Sequence, residues 1–204
     1  MSYIVGIAGG SGSGKSTLAH ALAERLGAQT AAIISHDDYY KHTPGMTSEQ
    51  RIAYNFDVPE ALDNSLLAAD LATLRAGKPA EIPHYDFTTQ CRVGSRMQDP
   101  LPVIIVEGIL VMSLPELADQ MDLKVFVDVD ADIRLARRLQ RDCAERGHEV
   151  AGAITMYMNN ARPAHEKYVQ PCIDIADVVI TDALDAQAVD SLAATIKAAA
   201  LADV

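Results

Sequence analysis

Short apolar runs alternate along this chain with longer stretches whose apolar residues recur at helical spacing. Tyr3 to Ala8 reads as a buried strand and Ser16 to Leu26 as the helix that follows it. Ala31 to Ser35 is a second short apolar run. Ala61 to Arg75 places Leu62, Leu66, Leu67, Leu71 and Leu74 at helical intervals and stops before Gly77, a residue suited to a C-terminal cap. Val103 to Val106 is a continuous β-branched run, as expected of a strand covered on both faces. Lys124 to Val129 and Val178 to Thr181 are further strand candidates. Ile133 to Ala144, Ile154 to Lys167 and Ala186 to Leu201 read as helices. Strands alternating with helices predict an α/β fold, a mostly parallel sheet of about five strands with helices on both faces.

One segment breaks the alternation. Ile82 to Arg96 holds Pro83, Tyr85, Phe87, Thr88, Thr89 and Gly94 and predicts a small β-hairpin beside the sheet, within an insertion of about 79–98. The 204 residues suffice for one substantial core, so a single domain is expected over 1–204. No run of ~18 apolar residues is present and nothing resembles a signal peptide, which points to a cytoplasmic protein without a membrane partner. Cys91, Cys143 and Cys172 lie far apart without a CxxC pair and read as reduced thiols. The net charge of −11 argues against a nucleic-acid partner, because phosphate neutralisation dominates such binding. The arginines instead concentrate between Arg134 and Arg146, as a local anion site would require.

The strongest local signal lies between the first strand and its helix. Gly9, Gly10, Ser11, Gly12, Ser13, Gly14, Lys15 and Ser16 fit G-x-x-x-x-G-K-[ST] at every fixed position. Glycines allow successive backbone N–H groups to curl around phosphate oxygens at a helix N-terminus, where the dipole favours negative charge. Lys15 is expected to reach the β- and γ-phosphates and Ser16 to ligate Mg2+, with Thr17 beside them in the nucleotide site. The implied nucleotide is ATP, with GTP as the alternative. A guanine-reading Asn-Lys-x-Asp motif is absent, as are the His-Arg-Asp and Asp-Phe-Gly motifs of protein kinases. A small-molecule kinase is the class that remains.

Two strand ends carry a carboxylate toward the crevice where open α/β sheets bind ligands: Glu107 after Val106, and Asp128 after Val127. Glu107 is preferred for the metal because Gly108 permits close backbone approach, whereas Asp128 could simply cap the next helix. A kinase also needs a base for the acceptor hydroxyl, and Asp37 and Asp38 follow the second strand. Spacing does not separate those two. Arg134, Arg138 and Arg141 stand at i, i+4 and i+7 and share one helical face. Mobile arginines there could offset charge on a transferring phosphoryl group in a lid of about 134–168, with Arg134 and Arg137 read as plain surface residues.

With these residues assembled, the chain resembles the uridine kinase (uridine-cytidine kinase) family, whose wider group includes phosphoribulokinase. The resemblance runs from about Ile4 to Ile180. Its markers are the glycine-rich loop, Asp37-Asp38-Tyr39-Tyr40, Asn55-Phe56-Asp57-x-Pro59, Ile82-Pro83-x-Tyr85-Asp86-Phe87, Glu107-Gly108-Ile109-Leu110 and the stretch from Asp128 to Gly147. It implies a P-loop NTPase-type three-layer α/β/α sandwich with a helical lid, and phosphorylation of the 5′-hydroxyl of uridine or cytidine by ATP and Mg2+. By resemblance Asp37 is the general base and Glu107 the magnesium-associated glutamate. Asp57 would bind the ribose hydroxyls with Arg138, and Tyr40, Tyr85 and Phe87 would surround the nucleoside. Arg141 and Arg146 would be lid arginines near the phosphates. A homo-oligomer, commonly a tetramer, is implied as well.

Several positions depart from the family pattern. Gln90 stands where a histidine often touches the base, and its amide offers both a donor and an acceptor. His148 replaces a usual lid arginine, Met156 a polar residue, and Ile180-Thr181-Asp182-Ala183 lacks the usual Pro and Gly of the adenine end. A related kinase acting on another acceptor, such as ribulose 5-phosphate or pantothenate, is therefore the alternative. A nucleotide-binding regulator is a more distant one, because Lys15, Asp37 and Glu107 are all intact.

Overall fold

The computed structural model describes residues 1–42, 45–46, 54–147 and 149–201. The chain begins with β1 (Tyr3–Gly9), α1 (Lys15–Leu26) and β2 (Ala31–Ser35), which ends in a single 3-10 turn over His36–Tyr39. After a 3-10 turn at Pro59–Ala61 come α2 (Asn64–Arg75) and the antiparallel hairpin of β3 (Ala80–Asp86) and β4 (Cys91–Gln98). Then follow β5 (Val103–Glu107), the short α3 (Pro115–Ala118), β6 (Leu123–Val127) and α4 (Ala131–Arg146). The chain returns through α5 (Val150–Met156) and irregular helical turns to β7 (Val178–Ile180), and closes with α6 (Ala186–Ala200).

The main sheet has the order β2-β5-β1-β6-β7, and every neighbouring pair in it is parallel. Period-two alternation along the strands divides the core into two layers. Ile4, Ala8, Ile104, Val106 and Phe126 face α2, the hairpin and the return segment, against Leu67, Leu71, Ile82 and Val169. Val5, Ile7, Val103, Ile105 and Val125 face the other way, against Leu18 and Leu22 of α1 and Val189, Leu192 and Ile196 of α6. This is the expected three-layer α/β sandwich, with helices burying both faces of the sheet.

Local chemistry sets most boundaries. Asp185 caps α6 by accepting from the N–H groups of Gln187 and Ala188, and Asp63 caps α2 by accepting from Leu66. That cap starts α2 at Asn64 instead of Ala61, where Pro59 nucleates a separate 3-10 turn. The expected helix over Ile154 to Lys167 is interrupted by π-helical turns at Tyr157–Ala161 and His165–Val169, between which Pro163 occupies a single α-turn. Proline cannot donate to the helical ladder, so a wider turn on either side of it accommodates the missing bond. The residue capping α4 is Asp130, so Asp128 does not have the cap role weighed for it. Among the described residues, no helix is long and apolar enough to cross a membrane.

Beneath the 3-10 turn at the end of β2, Tyr39 donates to the Asp70 carboxylate of α2 at 2.8 Å in a buried pair. Burial holds the Asp70 carboxyl above its ordinary range, against the opposing effect of the Tyr39 bond. A carboxyl raised in the folded state favours folding when protonated and disfavours it when ionised. Asp70→Asn keeps an acceptor for Tyr39 and cannot ionise. Its urea midpoint should therefore exceed the wild-type value at pH 7, and the gap should close as pH falls toward the ordinary aspartate range.

Candidate active site

β1 occupies the centre of the sheet between β5 and β6, and its chain continues through the glycine-rich loop to α1. The loop after it opens at the carboxyl edge, where an open α/β sheet leaves a crevice for ligands. Lys15, the first residue of α1, is buried there, and so is Glu107 at the end of the neighbouring β5. Burial pushes the Glu107 carboxyl above its ordinary range. The Lys15 charge opposes that shift, the Asp37 charge reinforces it, and hydrogen bonds from Ser16 and Ser35 oppose it. Lys15, Ser16, Asp37 and Glu107 thus come together at one point. The Ser35 hydroxyl meets Glu107 Oε1 at 3.2 Å, while Glu107 Oε2 is buried with no protein partner. Asp128 is not part of this group; its charge is felt at His165.

The carboxylates of Asp37 and Asp38 have different surroundings. Asp38 Oδ1 accepts the Tyr85 backbone N–H at 3.2 Å and lies 3.5 Å from His84 Nδ1, so it ties the turn to the hairpin. Asp37 faces the Glu107 side. Between them and the sheet, His36 is fully buried with Nε2 2.9 Å from Asn64 Oδ1. Burial pushes its imidazole down to about 4, although Asp37 and Asn64 both pull the other way, so the ring is neutral at physiological pH. Gly108 lies flat against this ring, and a Cβ there would collide with it. The sequence reading assigned His36 no role, and only its position beside Asp37 hinted at one.

The hairpin brings aromatic rings to the same cleft. Tyr40 lies 5.3 Å from Tyr85 and 6.1 Å from Phe87, and meets Phe56 edge-on at 5.5 Å. Phe56 was legible only as part of the Asn55-Phe56-Asp57 block. Gln90 sits at the hairpin tip with a positive φ of 53°, and its Oε1 is buried without a partner. Arg92 fastens the hairpin from below. Its Nε donates to the Tyr40 carbonyl at 2.9 Å and its Nη2 to the Tyr39 carbonyl at 3.0 Å, and both Nη atoms approach Asp63.

α4 closes the cleft with its arginine face. Arg138 pairs with Asp57 at 3.4 Å and with Asp142 at 3.2 Å, and Arg141 pairs with Asp142 at 2.9 Å and reaches Ser11 Oγ at 3.5 Å. Asp142, buried between the two arginines, is a residue the sequence reading missed, though it follows Arg138 by one helical turn. Arg137 is the exposed surface residue expected, but Arg134 is not. Arg134 is buried against the glycine-rich loop, and Arg137 Nη1 reaches the Gly12 carbonyl at 3.4 Å. The side chain of Arg146 and the whole of His148 lie outside the described residues.

Known proteins resemble this chain over nearly its whole length. A family model described as the Phosphoribulokinase / Uridine kinase family matches residues 4–189. A protein named Uridine kinase from Chloroflexus aggregans is 45% identical over 198 residues, covering 96% of this chain and 95% of its own. One of the same name from Staphylococcus epidermidis is 44% identical over 180 residues, covering 88% and 87%. Among solved structures, a phosphoribulokinase from Rhodobacter spheroides matches with a TM-score of 0.63 at 18% identity, over 90% of this chain and 73% of its own. A D-glycerate 3-kinase from Cryptococcus neoformans matches with a TM-score of 0.62 at 20% identity, over 82% and 79%. The two structures bear on the fold alone, which they share.

The Arg92 clamp yields a local prediction. Arg92→Ala removes charge-assisted bonds worth ~1.5–3 kcal/mol each and leaves two carbonyls without their donor. Amide exchange over residues 80–98 should accelerate by ~10-fold or more, while exchange in β1 and β5 stays unchanged. Hydrogen-exchange mass spectrometry checks it.

Proposed function

The chain belongs to the phosphoribulokinase/uridine kinase family, and on that premise we propose that it transfers the γ-phosphoryl group of ATP to the 5′-hydroxyl of uridine or cytidine, a cytoplasmic step of pyrimidine salvage. The observation that carries this reading is the convergence of two sites on one cleft. A phosphate loop with Lys15, Ser16, Asp37 and Glu107 meets a cluster of aromatic rings, Tyr40, Tyr85 and Phe87, with Gln90 at the hairpin tip and the Asp57–Arg138 pair on the lid side. The relatives named Uridine kinase, similar over nearly the whole chain, support the choice of acceptor.

Each residue's part follows from its surroundings. The loop from Gly9 to Ser16, with Thr17, holds the triphosphate on its backbone N–H groups, and Lys15 offsets charge on the β- and γ-phosphates. The divalent cation fits the donors present. Glu107 Oε2 is a buried carboxylate oxygen that lacks a protein partner, and the Ser16 hydroxyl adjoins the same carboxylate. Bound there, Mg2+ would neutralise charge on the phosphate oxygens. Asp37, the carboxylate not committed to the hairpin, accepts the proton of the 5′-hydroxyl as its oxygen attacks the γ-phosphorus and ADP departs. Arg141, already beside Ser11, and Arg146 offset the charge on the transferring group.

At the other end, Asp57 accepts from the ribose hydroxyls and Arg138 donates to them. The free Oε1 of Gln90 gives a reason for either pyrimidine to bind. Uracil presents an N3–H to such an acceptor, whereas cytosine presents its exocyclic amine, and the Gln90 Nε2 can serve the remaining base acceptor.

Release of ADP with a panel of acceptors tests the assignment. Turnover is expected with uridine or cytidine. Turnover only with ribulose 5-phosphate, pantothenate or another acceptor would replace the proposed substrate. In Asp37→Asn, kcat should fall by ~10²–10⁴-fold, the worth of a positioned general base, with MgATP affinity largely retained. Unchanged activity in that variant would remove Asp37 from its role. Gln90→Ala should raise the KM for nucleoside by ~10-fold through loss of the base contact while the KM for ATP is kept.

A further inference from the structure

The motif of the phosphate loop requires glycine only at Gly9 and Gly14, yet Gly10 and Gly12 are glycines too. The structure gives a reason. A Cβ on Gly10 would collide with the guanidinium of Arg134, and a Cβ on Gly12 would collide with the Arg134 carbonyl. The loop lies directly on this one residue of α4. Arg134 is 7% exposed, and among the described residues no carboxylate pairs with it. Its Nε donates to the Val129 carbonyl at 2.9 Å, and its Nη2 lies 3.1 Å from His165 Nε2.

A buried, unpaired cation is costly unless something compensates it. Here the missing counter-charge adjoins the loop that is built to hold phosphate. We propose that Arg134, held by a neutral His165, is a positioning residue for the nucleotide phosphates, bracing the loop from behind and placing a positive charge beneath it.

The hydrogen bond dictates the state of the histidine. Arginine can only donate, so Nε2 must accept, which requires an uncharged ring with its proton on Nδ1. Gln170 faces the same nitrogen at 3.0 Å and can turn its amide to suit. The groups around His165 favour the neutral form on balance. Arg134 and Arg138 face its cavity from α4, Asp57 and Tyr157 line the same space, Asp128 approaches from the end of β6, and Glu166 is its chain neighbour. Burial, then the Arg134 charge, hold the imidazole below its ordinary value, and the Gln170 hydrogen bond and the two carboxylates only partly offset this. The brace is therefore intact above the ordinary histidine range and fails as pH falls through the lowered one. Because His165 lies near the far end of the lid segment, the same bond joins that end to Arg134 and through it to the loop.

The inference rests on the MgATP-binding part of the proposed function and not on the acceptor. Calorimetric titration of MgATP alone into the full chain at pH 8.0 and 5.5 tests it. Arg134→Gln and His165→Leu should each weaken binding by ~10-fold or more, as loss of a bond to a charged group implies. His165→Gln, which keeps an acceptor and cannot titrate, should bind within ~3-fold of wild type at pH 8.0. On acidification the wild type should lose more affinity than His165→Gln does. A folded His165→Leu that binds as wild type does, or equal pH losses in wild type and His165→Gln, would overturn the proposal. If Arg134→Gln does not fold, the two His165 variants decide. Failure of wild type to bind MgATP would instead overturn the reading beneath it.

Discussion

Two opposite charges, Lys15 and Glu107, are buried at the carboxyl edge of the parallel sheet, near enough for the Lys15 charge to act on the Glu107 carboxyl. Charges out of water are costly unless opposite charge and hydrogen bonds compensate them. The parallel register of β1 and β5 brings the two within that reach. Ile7 lies opposite Glu107, and the Gly108 N–H continues the ladder onto the Ile7 carbonyl at 3.1 Å. Strand pairing thus brings the end of β5 alongside the loop that follows β1. Ser16 and Ser35 supply the hydrogen bonds that the low-dielectric position demands. Glu107 Oε2 is left without a protein partner, the acceptor that the proposed function assigns to a divalent cation.

The remaining parts of the site are pinned to this edge by bonds that are few and specific. Arg92 and Asp38 join the hairpin to the turn that carries Asp37, so the hairpin aromatics and the candidate base are fixed to one another. Tyr39 anchors that turn to α2 through Asp70. On the other side α4 lies along the loop, with Arg137 on the Gly12 carbonyl and Arg134 beneath Gly10. Proximity of reacting groups is worth many orders of magnitude in rate only if it is held within fractions of an ångström. Three separate elements meet that demand here without a covalent link.

What was legible in the sequence was whatever is encoded locally. The strands announced themselves because both faces of the sheet are covered and their runs are continuous, and the loop because its glycines and Lys15 stand at fixed spacing. The hairpin followed from its aromatics and turn residues. Roles set by tertiary contact were not legible. Spacing left Asp37 and Asp38 equivalent; the resemblance chose Asp37, and the physical difference between them is the hairpin packing over Asp38. Arg134 looked like surface because charged residues at helical intervals usually are, and nothing local shows that the loop settles on it. His36 is buried against a partner distant in the chain, Asn64, and Asp142 has neighbours on its own helix but is buried only because α4 packs onto the cleft. The π-helical turns around Pro163 could not be anticipated from apolar periodicity, which an α-helix and a widened turn share over so few residues.

The Asp57–Arg138 pair closes the argument, since it joins the lid to the acceptor side and lies where a ribose would bind. If that pair were the only contact of either residue, a ligand entering between them would have to break it at the cost of a partly buried charge. Arg138 has a second partner, however: Asp142, one helical turn along α4, at 3.2 Å. The arginine therefore stays charged, paired and in place when Asp57 exchanges its contact for a hydroxyl. Asp57 is held in turn by its own backbone, whose N–H donates to Asn55 Oδ1 at 3.0 Å. Both members keep their positions through the exchange, so most of the ordering cost of the bound state is already met in the empty one. On the proposed function, the ion pair is then a placeholder for the contacts that a sugar with adjacent hydroxyls would take over.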